Sequence, residues 1–305
     1  MNIIHAARSR GDKAWRMFVV AAPYLWLLVF FLIPFVFVFK ISFADPIIGQ
    51  PPFTPLINTS GHGAGLFHVT LDNYRYLFKD NLYILSYLKS LQIALVSTVL
   101  CLLLGYPMAY GIARARQPYR NLLLLLVILP FWTSFLLRVY AWMGILGKYG
   151  TINSLLLWAG IIDKPLRLLY TDFAVYLGIV YSYVPFMILP LYANLERMNL
   201  DLHEAAADLG ARPFRVFLDV TLPLSMPGII AGSMLVFIPA IGEYVIPTLL
   251  GGLNTLMIGR TLFNEFYFNR DWPVSAAVAT LLLLILVIPI MIFQRYQARE
   301  GSGDV

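Results

Sequence analysis

Residues 90–113 read SLQIALVSTVLCLLLGYPMAYGIA, twenty-four positions without one Asp, Glu, Lys, Arg or His. About 20 mostly apolar residues in a helix cross a bilayer core. This run is long enough, and its apolar residues do not alternate strictly as in a half-buried strand. It predicts a membrane-spanning helix. Five runs of the same character flank it, at roughly 17–39, 122–146, 173–195, 227–250 and 273–294. The first follows a basic stretch, as a signal peptide does. Its apolar part is too long for one, and no small-x-small cleavage site ends it. It reads as an uncleaved span. The expected fold class is an all-α membrane protein with six transmembrane helices.

Composition agrees. The chain has 305 residues, 60% hydrophobic and 12% charged, whereas soluble domains carry about 25% charge. A soluble globular enzyme, a disordered chain and a nucleic-acid module are excluded, despite a net charge of +6. The one cysteine, Cys101, lies inside an apolar run, so there is no disulfide framework and no thiolate metal cluster. His5, His62, His68 and His203 are scattered without His-Glu-x-x-His spacing. Gly147-Lys148 lacks the earlier glycine and the following Ser/Thr of a phosphate loop. No cofactor and no metal are expected, and no ATP hydrolysis by that route.

Basic residues set the orientation. With the N-terminus inside, segments 1–16, 114–121, 196–226 and 295–305 hold twelve Lys and Arg in 66 positions. The outer segments 40–89, 147–172 and 251–272 hold nine in 98. Both termini are therefore expected in the cytoplasm. The expected organisation is a cytoplasmic N-terminus (1–16), a first span (17–39) and an outer loop (40–89). A core of five spans (90–294) follows, enclosing the inner loop 196–226, and then a cytoplasmic tail (295–305). The outer loop carries Pro46, Pro51, Pro52, Pro55, Gly61, Gly63 and Gly65, then an interfacial helix over Leu71–Phe78.

The inner loop reads DLHEAAADLGARPFRVFLDVTLP over 201–223. Local physics gives two short helices. Asp201 is the expected N-cap of the first (202–209), with Glu204 three residues on as in a capping box. Gly210 ends it, because a left-handed C′ residue costs glycine least. Pro213 opens the second at a position where no amide donor is needed.

Glu204-Ala205-Ala206, three residues, Gly210, nine residues, then Val220-Thr221-Leu222-Pro223 resembles the Glu-Ala-Ala loop of ATP-binding-cassette importer permeases. The resemblance covers nearly the whole chain. Residues 71–78 with Ser90-Leu91 look like the family's approach to its transmembrane core. The stretches 129–144, 239–247, Leu250-Gly251-Gly252 and 269–273 look most like the first permease subunit of polyamine importers, the putrescine branch. The resemblance implies type I importer architecture in the cell inner membrane. It implies a heterodimer with a second permease, two ATPase subunits below and a periplasmic substrate-binding protein above. It also assigns Glu204, Ala205, Ala206, Gly210, Ala211, Arg212 and Pro213 to the coupling helix that docks on the ATPase. Membrane lipid is a further contact, and nucleic acid is not.

Putrescine is a dication at neutral pH, so its path should offer carboxylates, aromatic faces and carbonyl dipoles. Glu243 is the sole acidic residue deep in an expected span, where a charge costs at least about 2.5–3.5 kcal/mol. It either lines the path or serves structure, paired with Arg138 or protonated. Arg138 is the one basic residue inside a span and is better suited to structure or snorkelling. Trp132, Tyr181, Tyr183 and Tyr244 are candidate aromatic walls. Tyr140 and Trp142 also suit the interfacial belt. The Gly-x-x-x-Gly pair Gly228 and Gly232 fits helix packing within the subunit.

Other classes remain in view. A type I permease for another small substrate differs only in cargo. A stand-alone secondary transporter or channel needs several buried ionisable groups, and only Arg138 and Glu243 qualify. A membrane-embedded enzyme needs a nucleophile–base set or metal ligands within the spans, and none is seen.

Overall fold

The computed structural model of the chain describes residue 17, residues 19–55 and residues 69–300. Segment 1–16, the loop glycines Gly61, Gly63 and Gly65, and residues 301–305 lie outside the described residues. In chain order the helices are α1 (Val19–Ile41), α2 (Asp72–Lys79), α3 (Asn81–Arg114), α4 (Tyr119–Ile128), α5 (Phe135–Leu146) and α6 (Thr151–Trp158). Then follow α7 (Asp172–Glu196), α8 (Asp201–Asp208), α9 (Pro213–Leu224) and α10 (Met226–Ile241). The last are α11 (Val245–Leu249), α12 (Ile258–Tyr267) and α13 (Trp272–Glu300). No strand occurs among the described residues.

Four helices are long and apolar enough to cross a membrane: α1, α3, α7 and α13 over Trp272–Met291. Two bent pairs raise the number to six if each counts as one span. The expected third span does not continue as one helix through 122–146. The chain from Tyr119 to Trp132 and the chain from Phe135 to Trp158 meet at 90°. Pro130 lacks an amide proton, the turn Leu129–Trp132 tightens to a 3₁₀ helix, and Thr133 is extended at ψ 149°. The expected fifth span, 227–250, is also interrupted. α10 stops at Ile241, and Gly242–Tyr244 separate it from α11. At its other end α10 meets α9 at 63°, with Ser225 between Pro223 and Pro227.

The second span starts earlier than its apolar run. Asp80 is extended and its side chain accepts from the Leu82 N–H at 2.9 Å. This cap lets the helix begin at Asn81, through polar residues that apolarity alone assigns to a loop.

The described residues form two compact units, one up to Lys79 with Glu265–Leu281, the other Asp80–Asn264 with the chain from Leu282. In the first, α2 appears where the interfacial helix was expected. Buried Asn73 donates from Nδ2 to the carbonyls of Ser42 (2.9 Å) and Ala44 (2.8 Å), closing the end of α1. The α1 span itself buries none of its apolar window within this chain.

In the second unit α3, α7 and α10 pack on one another around Cys101, Met187, Ile188, Leu191 and Val236. Small residues bring the backbones together. A Cβ on Gly232 would stand 2.8 Å from the Met187 sulfur, and one on Gly228 would meet Asn194 at 2.9 Å. The Gly-x-x-x-Gly pair therefore faces α7 of the same subunit. In lipid such contacts stabilise by dispersion, since burial from water contributes little between spans.

Candidate functional site

Two helix ends in the second unit hold most of the residues that sequence reasoning singled out. The first is the corner between α8 and α9. Gly210 has φ +79°, and its N–H and that of Ala211 donate to the carbonyls of Ala207 (2.8 Å) and Ala206 (3.0 Å). These are the two bonds of a Schellman stop. Asp201 is not the N-cap: it is the first helical residue, and its N–H is capped by Asn199 Oδ1 at 3.0 Å. Pro213 opens α9 after extended Arg212, as expected.

Glu204, Ala205, Gly210, Arg212 and Pro213 are exposed, and Ala206 and Ala211 half-buried. Around them Leu209 is 90% and Phe214 71% exposed. Large apolar side chains held open on a rigid, small-sided turn suit a partner surface better than a free one.

The second site is the interruption at Gly242–Tyr244. Glu243 is buried, 8% exposed. Its Oε1 accepts from the backbone N–H of Tyr244 (3.1 Å), Val245 (3.0 Å) and Ile246 (3.4 Å). These are otherwise orphan donors at the start of α11. Tyr183 OH, from α7, donates to Oε2 at 2.5 Å. The carboxylate thus caps α11 and joins it to α7. A Cβ on Gly259 would come within 2.3 Å of the Gly242 carbonyl oxygen, so the start of α12 seals this break from its other side. Glu243 sits where the helix has stopped, between α10 and α11.

Arg138 does not join it. Its guanidinium lies over the rings of Phe131 (5.4 Å) and Phe135 (5.7 Å), and its Nε is buried without a hydrogen-bond partner. No ion pair between Arg138 and Glu243 occurs among the described residues, because the Glu243 oxygens are taken by α11 and Tyr183. Of the aromatic candidates, Tyr183 and Tyr244 come together at Glu243. Tyr244 stacks on Phe263, with centroids 4.5 Å apart. Tyr181 meets Trp142 edge-on at 5.4 Å. Trp132 stands 75% exposed at the end of its 3₁₀ turn, with neither.

Sequence reasoning missed a third arrangement. Lys89 Nζ of α3 lies 2.6 Å from Asp172 Oδ2 at the start of α7, and Thr255 donates to Oδ1 at 2.6 Å. The three tie α3, α7 and the segment after α11. Opposite charges at the beginnings of two spans were the available signal.

Residues 101–300 match the family model described as "Binding-protein-dependent transport system inner membrane component". The spermidine/putrescine transport system permease protein PotB of Haemophilus influenzae is 40% identical over 284 residues, covering 93% of this chain and 94% of that protein. PotB of Escherichia coli K12 is 43% identical over 226 residues, covering 74% and 82%. Among solved structures, a bacterial ABC transporter involved in import of the acidic polysaccharide alginate aligns with a TM-score of 0.66 at 18% identity, over 95% of this chain and 99% of its own. The MetNI methionine ABC transporter, in inward-facing form, aligns at 0.51 and 19%, over 70% and 94%. These two speak for the fold alone. With the family model covering most of the chain and relatives at 40% and 43% identity, the chain belongs to the inner membrane components of binding-protein-dependent transport systems.

Proposed function

We propose that this chain is one of two permease subunits of an ATP-driven importer for spermidine, putrescine or related polyamines. It provides half of the path through the inner membrane, with six spans and both termini in the cytoplasm. Its partners are a second permease, two ATPase subunits and a periplasmic binding protein, and ATP is hydrolysed in the separate ATPases. The cargo reading is carried by the 40% identity to a spermidine/putrescine permease across 93% of the chain.

Each site has a part in this reading. The exposed corner Glu204–Pro213 docks on an ATPase. Its rigid αL stop and open Leu209 and Phe214 support that role. Glu243 lies beside the path with Tyr183, Tyr244, Tyr181 and Trp132 as aromatic walls. Its hydrogen bonds to α11 and Tyr183 hold a negative charge in place near where an ammonium group passes. A charge so held attracts without leaving its cap.

The test is uptake of radiolabelled putrescine and spermidine in a strain lacking the chain. Restoring the wild-type chain should restore uptake. Glu243→Gln keeps the shape and can still cap α11, yet removes the charge. Uptake of dications should fall roughly tenfold, the loss of about 1.4 kcal/mol at the transition state, with the complex still assembled. Uptake that persists when the ATPases are deleted would instead favour a stand-alone transporter, and unchanged uptake in Glu243→Gln would remove Glu243 from the path. Another small cargo becomes the better reading if neither polyamine enters.

A further inference from the structure

Arg138 carries a permanent charge inside the third apolar run, and the described residues of its own chain leave that charge unmet. A guanidinium is not deprotonated in a protein. This one forms no ion pair among the described residues, and its Nε is buried without a hydrogen-bond partner. What it has are the ring faces of Phe131 and Phe135, at 5.4 and 5.7 Å. Ring faces offset a cation only in part. A cation within a span is otherwise paired or led to water. Its direction excludes the nearer way out. Both rings stand before Arg138 in the chain, so the side chain is turned back along α5, as helical side chains are. Leu146, the outer end of α5 in the proposed orientation, lies eight residues the other way, about 12 Å along a helix. A snorkelling arginine would reach toward that end. This one is folded into the corner where the Leu129–Trp132 turn meets α5. Arg138 is half-buried, so its own chain does not close that corner over it.

The corner has a second unmet requirement. Thr133 is extended, and Thr133 and Ser134 are exposed between two apolar helices. Interrupted backbone at membrane depth is stable only where protein or water covers it. On one side Phe131 packs on Phe186 of α7, with centroids 5.1 Å apart. Elsewhere around the corner Trp132, Leu137 and Tyr140 stand exposed. Lipid tails can cover those side chains, but they can meet neither the open backbone nor the cation.

We infer that a carboxylate of the second permease subunit enters this corner and pairs with the Arg138 guanidinium, fixing the seam between the two subunits. This rests on the reading of the chain as one of two permeases. The guanidinium fork presents parallel N–H donors whose spacing matches a carboxylate. A passing polyamine, itself a cation, is repelled from the same place, so the corner serves assembly and not cargo.

The experiment co-expresses this chain, affinity-tagged, with its partner permease, ATPases and binding protein, and measures how much second permease purifies with it. Arg138→Gln strands the partner's carboxylate, and co-purification should fall roughly tenfold or more. Arg138→Lys keeps the charge without the fork and should fall less. Each Asp and Glu in the partner's apolar spans is then changed in turn to Asn or Gln. One of these changes should lower co-purification with wild-type Arg138 and restore it with Arg138→Gln. Its first half leaves this chain untouched, so it decides the matter even where Arg138→Gln lowers the yield of the chain itself. Undiminished co-purification of Arg138→Gln would overturn the inference, and so would a partner in which no single change lowers co-purification. Bound phospholipid lost from Arg138→Gln, with the second permease retained, would assign the corner to a lipid phosphate instead. A wild-type chain that purifies with no second permease refutes the two-permease reading itself. A wild-type pair that survives every change refutes the carboxylate alone.

Discussion

The corner at Gly210 and the break at Glu243 are both helix ends beside a glycine, and they solve the same problem in opposite ways. At Gly210 the orphan carbonyls of α8 are satisfied by backbone N–H groups alone, and a Cβ there would meet nothing within 4 Å. Only the positive φ demands glycine. At the break, the orphan N–H groups of α11 are satisfied by one buried carboxylate, and the neighbouring Gly259 is demanded by contact with the Gly242 carbonyl. An end that lies open needs only local geometry. An end sealed inside the bundle needs a charge, a partner helix and a close fit at once, because an unmet polar group there has no water to turn to. The first should therefore tolerate change thermodynamically and fail in function, and the second should fail in stability.

The largest expected effect is that of Glu243→Ala. It strands at least the Tyr183 hydroxyl and the Ile246 N–H, at about 1–3 kcal/mol each. A loss of roughly 2–6 kcal/mol should appear as a sharply lower melting temperature and lower yield of purified complex. A variant that melts with wild type would erase the contrast between the two ends.

Gly210→Val comes next. A β-branched residue resists φ +79°, at a strain of about 1–2 kcal/mol, and thickens the turn. The chain should still insert and fold, while ATPase co-purification and uptake collapse. Near-normal values for both would remove the corner from docking.

Tyr183→Phe is milder. It deletes one hydrogen bond to a charged group, about 1.5–3 kcal/mol, and leaves the α11 cap intact. Thermal unfolding of the complex should show a loss smaller than that of Glu243→Ala. If the two losses are equal, the link to α7 and not the cap holds the break.

Lys89→Met should do least. The pair with Asp172 is partly exposed, at 27% and 42% of the two side chains, and such pairs contribute about 0–1 kcal/mol. Thr255 still donates to Asp172. A melting shift as large as that of Tyr183→Phe would show that this end of the bundle is as closed as the break.

How much of this was legible follows from range. The Gly210 stop and the Pro213 start were readable because each depends on a few consecutive residues. The N-cap lies one position earlier, at Leu200, and the Asp201 N–H is met by Asn199 Oδ1, since several polar side chains there can reach the same orphan donors. The early start of α3 at Asn81 was hidden because apolar length marks the lipid core, and a polar helix extending beyond it leaves no such mark. Glu243 stood out as a rare carboxylate in an apolar run. Its partner could not be read, because Arg138 and Tyr183 are both far away in sequence and only packing chooses between them.

The sequence by itself determined the all-helical membrane character, the apolar runs and the two-helix corner at Gly210. These come from composition, from runs long enough to cross lipid, and from turn chemistry written in adjacent residues. Tertiary structure alone decided where the third and fifth runs break, that Glu243 caps α11 and holds Tyr183, and that Arg138 rests on aromatic rings. Those outcomes depend on which helices lie side by side, and a buried polar group takes whichever partner the packing brings within hydrogen-bond reach.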